Sequence, residues 1–177
     1  MGEMMKAVTI VADRKVELTD VPKPVPGPNQ VLLRIDACAL CTWEQRVFSR
    51  LQPFPLPFTG GHEFVGHIAA IGENLSPEKY PIGTRAVARQ IPHCGECPSC
   101  RTGRDNKCRA KNDMKGQGGL SDYYLTDVAQ LYMVDKSVPV ERMLFTEPLA
   151  CVITRRIRSM SRWARTSSFS AAARWAF

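Results

Sequence analysis

HCGECPSCRTGRDNKCR, residues 93–109, contains Cys94, Cys97, Cys100 and Cys108 at gaps of two, two and seven residues. Zinc accepts soft thiolate ligands in a tetrahedral arrangement, and C-x2-C spacing is typical of structural zinc sites. The intervening residues are glycine, proline and polar side chains, which build little core. We therefore predict that zinc holds this cysteine lobe (residues 93–109) together. The alternative is a cluster of reduced or disulfide-bonded thiols.

The composition around the lobe is that of a globular protein in a reducing compartment. The chain has 177 residues, of which 44% are hydrophobic and 23% are charged. Such a length accommodates one ordinary domain, or one domain and a piece of a second. No apolar run has the length needed to span a bilayer, and the start, MGEMMKAVTI, has no signal-peptide pattern. These features predict a cytoplasmic protein.

The net charge of +7 is concentrated at one end of the chain. Residues 154–177 contain six arginines and no acidic residue. The 24 basic and 17 acidic residues of the whole chain therefore leave 18 and 17 for residues 1–153, a net charge of +1. A nearly neutral body does not favour nucleic acid or a membrane as a partner.

Short segments of branched residues, separated by proline and glycine, predict a mainly β fold with short helices. This pattern favours a barrel or sandwich over a parallel α/β sheet. We predict strands over residues 4–11, 16–18, 31–37, 64–71, 86–91, 120–126 and 131–134, and helices over 42–49 and 141–153.

A second set of potential ligands lies outside the cysteine lobe. Cys41 follows a predicted strand, His62 and Glu63 end a proline-rich loop, and Glu147 and Cys151 lie in a predicted helix. A catalytic zinc needs about three protein ligands and one open position. Residue spacing alone does not require these side chains to converge.

The chain resembles the N-terminal, GroES-like catalytic domain of the medium-chain zinc-dependent alcohol dehydrogenase family, in the branch that includes sorbitol and threonine dehydrogenases. The resemblance covers residues 4 to about 153 and implies a GroES-like β-barrel that carries a zinc-binding cysteine lobe. The matching motifs occur in family order: P-x-P-x-P-G before a strand, L-C-T-W-E at 40–44, G-G-H-E-F-V-G at 60–66, C-x2-C-x2-C-x7-C at 94–108, G-G-L-S-D-Y at 118–123 and E-P-L-A-C at 147–151.

The resemblance implies two zinc ions per chain, one structural in the cysteine lobe and one catalytic. Cys41 and His62 would bind the catalytic zinc, with Glu63 as an adjacent or exchanging ligand. The remaining ligand would be Glu147, as in the sorbitol dehydrogenase-like branch, or Cys151, as in yeast-type alcohol dehydrogenases. We favour Glu147.

The implied reaction is oxidation of a secondary alcohol, polyol or hydroxy amino acid, with hydride transfer to NAD or NADP. Glu44 replaces the usual family Asp, and we count it among the catalytic residues because it would hydrogen-bond a liganding histidine.

Trp43 replaces the Ser or Thr of the family's proton relay, while Thr42 offers a hydroxyl one residue earlier. Trp43 is either a core anchor, the expected role, or a wall of the substrate pocket. Cys38 and His67 are expected to be structural.

Two further function classes compete with a dehydrogenase. One is a zinc-ribbon module that binds nucleic acid or protein, and the other is a metal-stabilised structural domain without activity. Two bound zinc ions per chain favour the dehydrogenase, and one favours either alternative. For an intact parent protein the resemblance implies a small-molecule alcohol substrate and a homo-oligomer.

The tail, residues 154–177, does not continue the resemblance. We predict a first domain over residues 1–153 and a non-native or disordered basic tail. The sequence lacks the G-x-G-x-x-G fingerprint of a doubly wound (Rossmann) nucleotide-binding domain. We therefore expect a truncated, inactive polypeptide that binds no cofactor.

The tail has a second reading in a shifted frame. Read one base earlier, codons 164–176 permit G-A-D-V-V-V-L-G-G-G-A-M-G, a strand followed by such a fingerprint. This suggests a frameshifted Rossmann domain. The alternative is a natural disordered tail.

Overall fold

The computed structural model describes residues 2–89, 93–104, 107–109 and 118–156 and confirms a mainly β fold with short helices. All strand pairs in these ranges are antiparallel, as predicted for a barrel or sandwich. A three-stranded sheet has the order β2 (Lys15–Pro22), β1 (Met4–Ala12), β4 (Phe58–Thr59). A five-stranded sheet has the order β7 (Tyr123–Asp127), β3 (Gln30–Ala39), β5 (Glu63–Ile71), β6 (Arg85–Ala88), β8 (Leu131–Met133). The helices are α1 (Thr42–Phe48), α2 (Pro98–Arg101), α3 (Val140–Met143), a 3-10 turn over Val128–Gln130, and α4 over residues 146–156.

The core of the larger sheet lies along β3, which pairs with both β5 and β7. Branched and aromatic residues suit a pleated surface that is buried on one side. Val31 and Leu33 of β3 are fully buried, and Ile68 of β5 joins them. The remaining members of this core cluster are Phe64, Ala86 and Tyr124.

The two sheets are connected through the residues that precede β7. Ala7 and Ser121 form an isolated antiparallel bridge. The Val8 backbone N–H donates to the Leu120 carbonyl at 2.8 Å, and the Asp122 N–H donates to Lys6 at 2.9 Å. The N–H groups of Gly119 and Leu120 donate to the Gly61 and Gly60 carbonyls at 2.7 and 3.1 Å, which fixes this segment beside the loop that carries His62.

The predicted helix over residues 141–153 is wrong as one continuous element. The chain forms α3, a turn at residues 144–145, and then α4. Pro148 has no N–H to donate to the Leu144 carbonyl, and its ring would clash with that group in a continuous helix. In α4 the proline falls in the first turn, where it is tolerated. Thr154, Arg155 and Arg156 continue α4, so the predicted tail begins within a helix.

Other boundaries also differ from the predictions. β4 was not predicted, and Ser121 forms only a bridge ahead of β7. The predicted strand over 86–91 is β6, which ends at Ala88, and residues 90–92 lie outside the described residues.

The chain divides into two compact units, residues 1–144 and the residues from Phe145 onward. The predicted tail beyond residue 156 lies outside the described residues, so the boundary after Ile153 stays a prediction. No helix in the ranges described has the length and apolar character to cross a membrane.

Candidate metal centres

The four cysteines of the lobe converge on one point. The Sγ atoms of Cys97 and Cys100 are 3.5 Å apart, those of Cys94 and Cys108 are 3.5 Å apart, and those of Cys94 and Cys100 are 4.0 Å apart. A tetrahedral site with Zn–S bonds of about 2.3 Å places its sulfurs about 3.8 Å apart. A disulfide would need about 2.05 Å, and none of the seven cysteines forms one. The thiol arrangement therefore fits a zinc ion.

The backbone of the lobe favours thiolate ligands. The Cys94 N–H points at Cys108 Sγ and the Cys97 N–H points at Cys94 Sγ, at 3.4 and 3.3 Å. Backbone N–H groups of Cys100 and Arg109 lower the pKa of the Cys97 thiol to about 6. Burial and the neighbouring Cys97 thiol raise the pKa of the Cys100 thiol to about 12. Because the thiolate is the ligating form, the backbone prepares Cys97, and not every cysteine of the lobe, for metal binding.

A second group forms where β3 ends and β5 begins. Ala39 pairs with Glu63 across these antiparallel strands, so the two strand ends meet at one edge of the sheet. Cys41 lies at the N-terminus of α1, and its side chain makes no capping hydrogen bond. One ligand atom each from Cys41, His62 and Glu63 lie within 4.8 Å of one another. These three residues are called the Cys-His-Glu group.

Glu44 forms a hydrogen bond with one ring nitrogen of His62. Its Oε1 lies 2.9 Å from His62 Nδ1 and accepts the Gly61 N–H at 3.0 Å. With Nδ1 engaged, Nε2 is the nitrogen left for a metal. The hydrogen bond to Glu44 raises the pKa of His62 to about 9, against the effect of burial. Burial raises the pKa of Glu44, but the hydrogen bonds from His62 and Gly61 outweigh it, so that this pKa lies below its ordinary value.

Three glycines make room for this arrangement. Gly61 has φ +97°, and an added Cβ would lie 2.6 Å from the Leu120 backbone nitrogen. A Cβ on Gly60 would lie 2.7 Å from Glu44 Cγ, and one on Gly118 would lie 1.7 Å from the Gly60 oxygen. The sequence contains these glycines, but their spatial proximity follows only from the sheet connection described above.

Glu147 and Cys151 lie one turn apart on α4, in the second unit. Cys151 Sγ lies 3.1 Å from Glu147 Oε1. Glu147 is half-buried and Cys151 is exposed. The choice between them as the remaining ligand stays a prediction.

Sequence reasoning missed several neighbours of these sites. Phe54 and Phe58 contact Trp43 with ring centroids 5.2 and 5.4 Å apart. Their signal was the pair of phenylalanines in the loop sequence QPFPLPF. Asp36 Oδ1 lies 2.8 Å from Nδ1 of His67, which fits the expected structural role of this histidine.

The antiparallel β fold and the cysteine lobe are those of a GroES-like domain, and comparisons with known proteins show the same family. The chain belongs to the Alcohol dehydrogenase GroES-like domain family, which matches residues 27–136, more than half of its length. This match confirms the resemblance stated from the sequence motifs.

Individual relatives are longer than this chain. It is 31% identical over 146 residues to the L-threonine 3-dehydrogenase of Stenotrophomonas maltophilia, covering 77% of this chain and 42% of that protein. The structure of acetophenone reductase from Geotrichum candidum in complex with NAD superimposes with a TM-score of 0.74 at 32% identity, covering 82% of this chain and 44% of that one. A zinc-binding dehydrogenase structure from Sinorhizobium meliloti bound to NADP gives a TM-score of 0.75 at 30% identity, covering 85% and 44%. The chain thus spans about two fifths of the length of these relatives.

Proposed function

We propose that this chain is the zinc-binding catalytic portion of an NAD(P)-dependent dehydrogenase that oxidises a secondary alcohol, a polyol or a hydroxy amino acid. The observation that carries the proposal is the Cys-His-Glu group with Glu44 behind His62. The family supports a zinc-dependent oxidoreductase in general terms, and NAD or NADP in two structural relatives supports the cofactor class.

Each residue of the group has a defined task in this proposal. Cys41 and His62 hold the metal, Glu63 is an adjacent ligand that exchanges, and Glu147 or Cys151 supplies the remaining position. Glu44 binds Nδ1 of His62 and fixes the ring orientation, which leaves Nε2 as the metal ligand of the Cys-His-Glu group. A bound zinc ion supplies Lewis-acid polarisation of the substrate oxygen, which favours loss of the proton and hydride transfer to a nicotinamide.

The test is a metal count on the full 177-residue chain and its variants. We expect two zinc ions per chain in the wild type. Cys41→Ser and His62→Ala should each leave one, while Cys108→Ser should retain the zinc of the Cys-His-Glu group. Separate Glu147→Gln and Cys151→Ser variants decide the remaining ligand by their zinc occupancy. A wild-type count of one would contradict the proposal and favour a structural or binding module with a single metal.

We further propose that residues 1–153 form the native domain and that the codons of residues 154–177 are read out of frame. The support is the change in composition after Ile153, where acidic residues disappear. DNA sequencing across codons 153–177 tests it. Codons that do not permit the glycine-rich string, or a stop soon after it in the shifted frame, would refute the frameshift.

Location and assembly are also proposals. Seven cysteines without a disulfide suit a reducing cytoplasm. Size measurements on a parent protein of the relatives' length would test the expected homo-oligomer.

A further inference from the structure

Trp43 connects the Cys-His-Glu group with an apolar cluster. It is the second residue of α1, and its ring centroid lies 6.3 Å from that of His62 at an interplanar angle of 76°. On its other sides it meets Phe54 and Phe58 edge-on, each at 81°. Phe58 is buried with Ile10 and Val47, whereas Trp43 and Phe54 are only partly buried.

Partial exposure leaves some of the Trp43 side chain accessible outside the apolar cluster. The indole packs nearly perpendicular to two phenylalanine rings, which limit its rotation, is only partly buried, and has its ring centroid 6.3 Å from that of His62. Thr42 is exposed, and its Oγ1 is 4.0 Å from Cys41 Sγ, so it stands on the cysteine side of the group. Two residues of α1 therefore adjoin His62: the Glu44 carboxylate lies 2.9 Å from Nδ1, and the Trp43 ring lies beside the imidazole.

We propose that Trp43 and Phe54 form an aromatic wall beside the Cys-His-Glu group that selects secondary alcohols and ketones with an aromatic substituent on the reacting carbon. This inference rests on the proposed function and narrows its substrate class. Aromatic rings gain from edge contacts with other rings beyond the burial of area. The carboxylate of a hydroxy amino acid would instead lose water against this apolar wall.

The test uses the full chain with zinc kept in the cysteine lobe and Co²⁺ exchanged into the Cys-His-Glu group, so that the visible absorption reports ligands near that group. The probes are 1-phenylethanol, 2-propanol and L-threonine. We expect 1-phenylethanol to perturb the cobalt spectrum and to bind at least about 10-fold more tightly than either other probe. Trp43→Ser should reduce this preference to about 2-fold or less, whereas Trp43→Phe should retain most of it.

A matched control is Tyr132→Ser, which removes an exposed aromatic ring from β8. It should leave the preference unchanged. If Trp43→Ser does not fold, Phe54→Leu decides: loss of the preference supports the wall and retention overturns it. Failure of the Cys-His-Glu group to bind Co²⁺ would overturn the proposed function and this inference together. Cobalt binding without a preference for the aromatic probe would overturn this inference alone.

Discussion

At the scale of single residues, the part of the chain that the structure describes contains two carboxylate–imidazole pairs with nearly the same contact. Glu44 meets His62 Nδ1 at 2.9 Å, and Asp36 meets His67 Nδ1 at 2.8 Å. The Glu44 side chain is 5% exposed, whereas that of Asp36 is 27% exposed. Water screens the second pair more strongly. Only the first pair adjoins a cysteine that could share a metal, so the two pairs provide an internal comparison.

Glu44→Gln should weaken metal binding at the Cys-His-Glu group. Glutamine keeps the shape and can still accept the Nδ1 proton, but it removes the charge that raises the basicity of His62. The expected loss of metal affinity is roughly 10- to 100-fold. Competition with a chelator, followed by Co²⁺ absorption, measures it. Asp36→Asn is the matched control and should change nothing; equal effects of both variants would contradict the role of Glu44.

Substitutions at Gly61 and Gly83 allow the cost of a positive φ angle to be measured separately from the cost of steric crowding. Both have positive φ, +97° and +83°, but a Cβ on Gly83 would meet no atom within 4 Å. Gly83→Ala should cost only the roughly 1–2 kcal/mol of holding an alanine at positive φ. Gly61→Ala should cost about 1–3 kcal/mol more, because its Cβ would press on Leu120. Denaturant unfolding compares the two free energies, and equal values would show that the loop relaxes freely.

At the scale of elements, the strands were readable because alternating branched residues leave a clear signal. β3 and β5 match their predicted positions to within two residues at each end. Short elements contain too few residues to show an alternating pattern. β4, which was not predicted, has only two residues and lies in a proline-rich loop. The continuous helix over 141–153 failed because the apolar period was followed through Pro148.

Contacts between elements were harder to predict than the elements themselves. The pair of Asp36 and His67 depends on the register of β3 against β5, which shifts at two irregularities, between Leu32 and Leu33 and between Ile35 and Ala37. No local pattern encodes such shifts. The proximity of Cys41 to His62 came from family resemblance, since residue spacing alone left it open.

Tyr124 on β7 should make stability sensitive to alkaline pH. Burial raises its pKa from 10.0 to about 12. A raised pKa means that the stabilisation is fully present below pH 10 and is lost as the pH rises through 12. The expected loss is roughly 2–3 kcal/mol. Unfolding free energies measured from pH 9 to 12 should fall less steeply in Tyr124→Phe, while Tyr132→Phe, at an exposed position of β8, should behave as wild type.

The cysteine lobe should behave as an element that is stabilised by its metal. Cys97→Ser removes one of four thiolates, and the described part of α2 has no buried residue to replace that contribution. A loss of about 3 kcal/mol would lower the melting temperature by roughly 6–12 °C in a chain of this size. The control is Glu96→Gln, which changes an exposed residue of the lobe that belongs to neither metal-ligand group. Loss of the lobe zinc without any change in melting would contradict a structural role.

At the scale of the whole molecule, the chain contains candidate metal ligands but not the sequence signature of a nucleotide-binding site. The first unit contains both metal-ligand groups. The 177 residues contain no G-x-G-x-x-G sequence, the pattern that places backbone N–H groups of a helix N-terminus around a pyrophosphate. Metal binding and nucleotide binding should therefore be independent properties, and only the first should be measurable with this chain.

The zinc-loaded chain should show no saturable binding of NAD or NADH at micromolar concentration in titration calorimetry. Without a G-x-G-x-x-G sequence, the chain lacks the known signature of a helix N-terminus that surrounds a pyrophosphate with backbone donors. The Geotrichum candidum acetophenone reductase, which was solved with NAD, is the positive control in the same buffer. The zinc count of each sample establishes that the chain is loaded. Stoichiometric, micromolar binding of NADH to the chain would overturn the prediction, because a nucleotide site would then exist without the fingerprint.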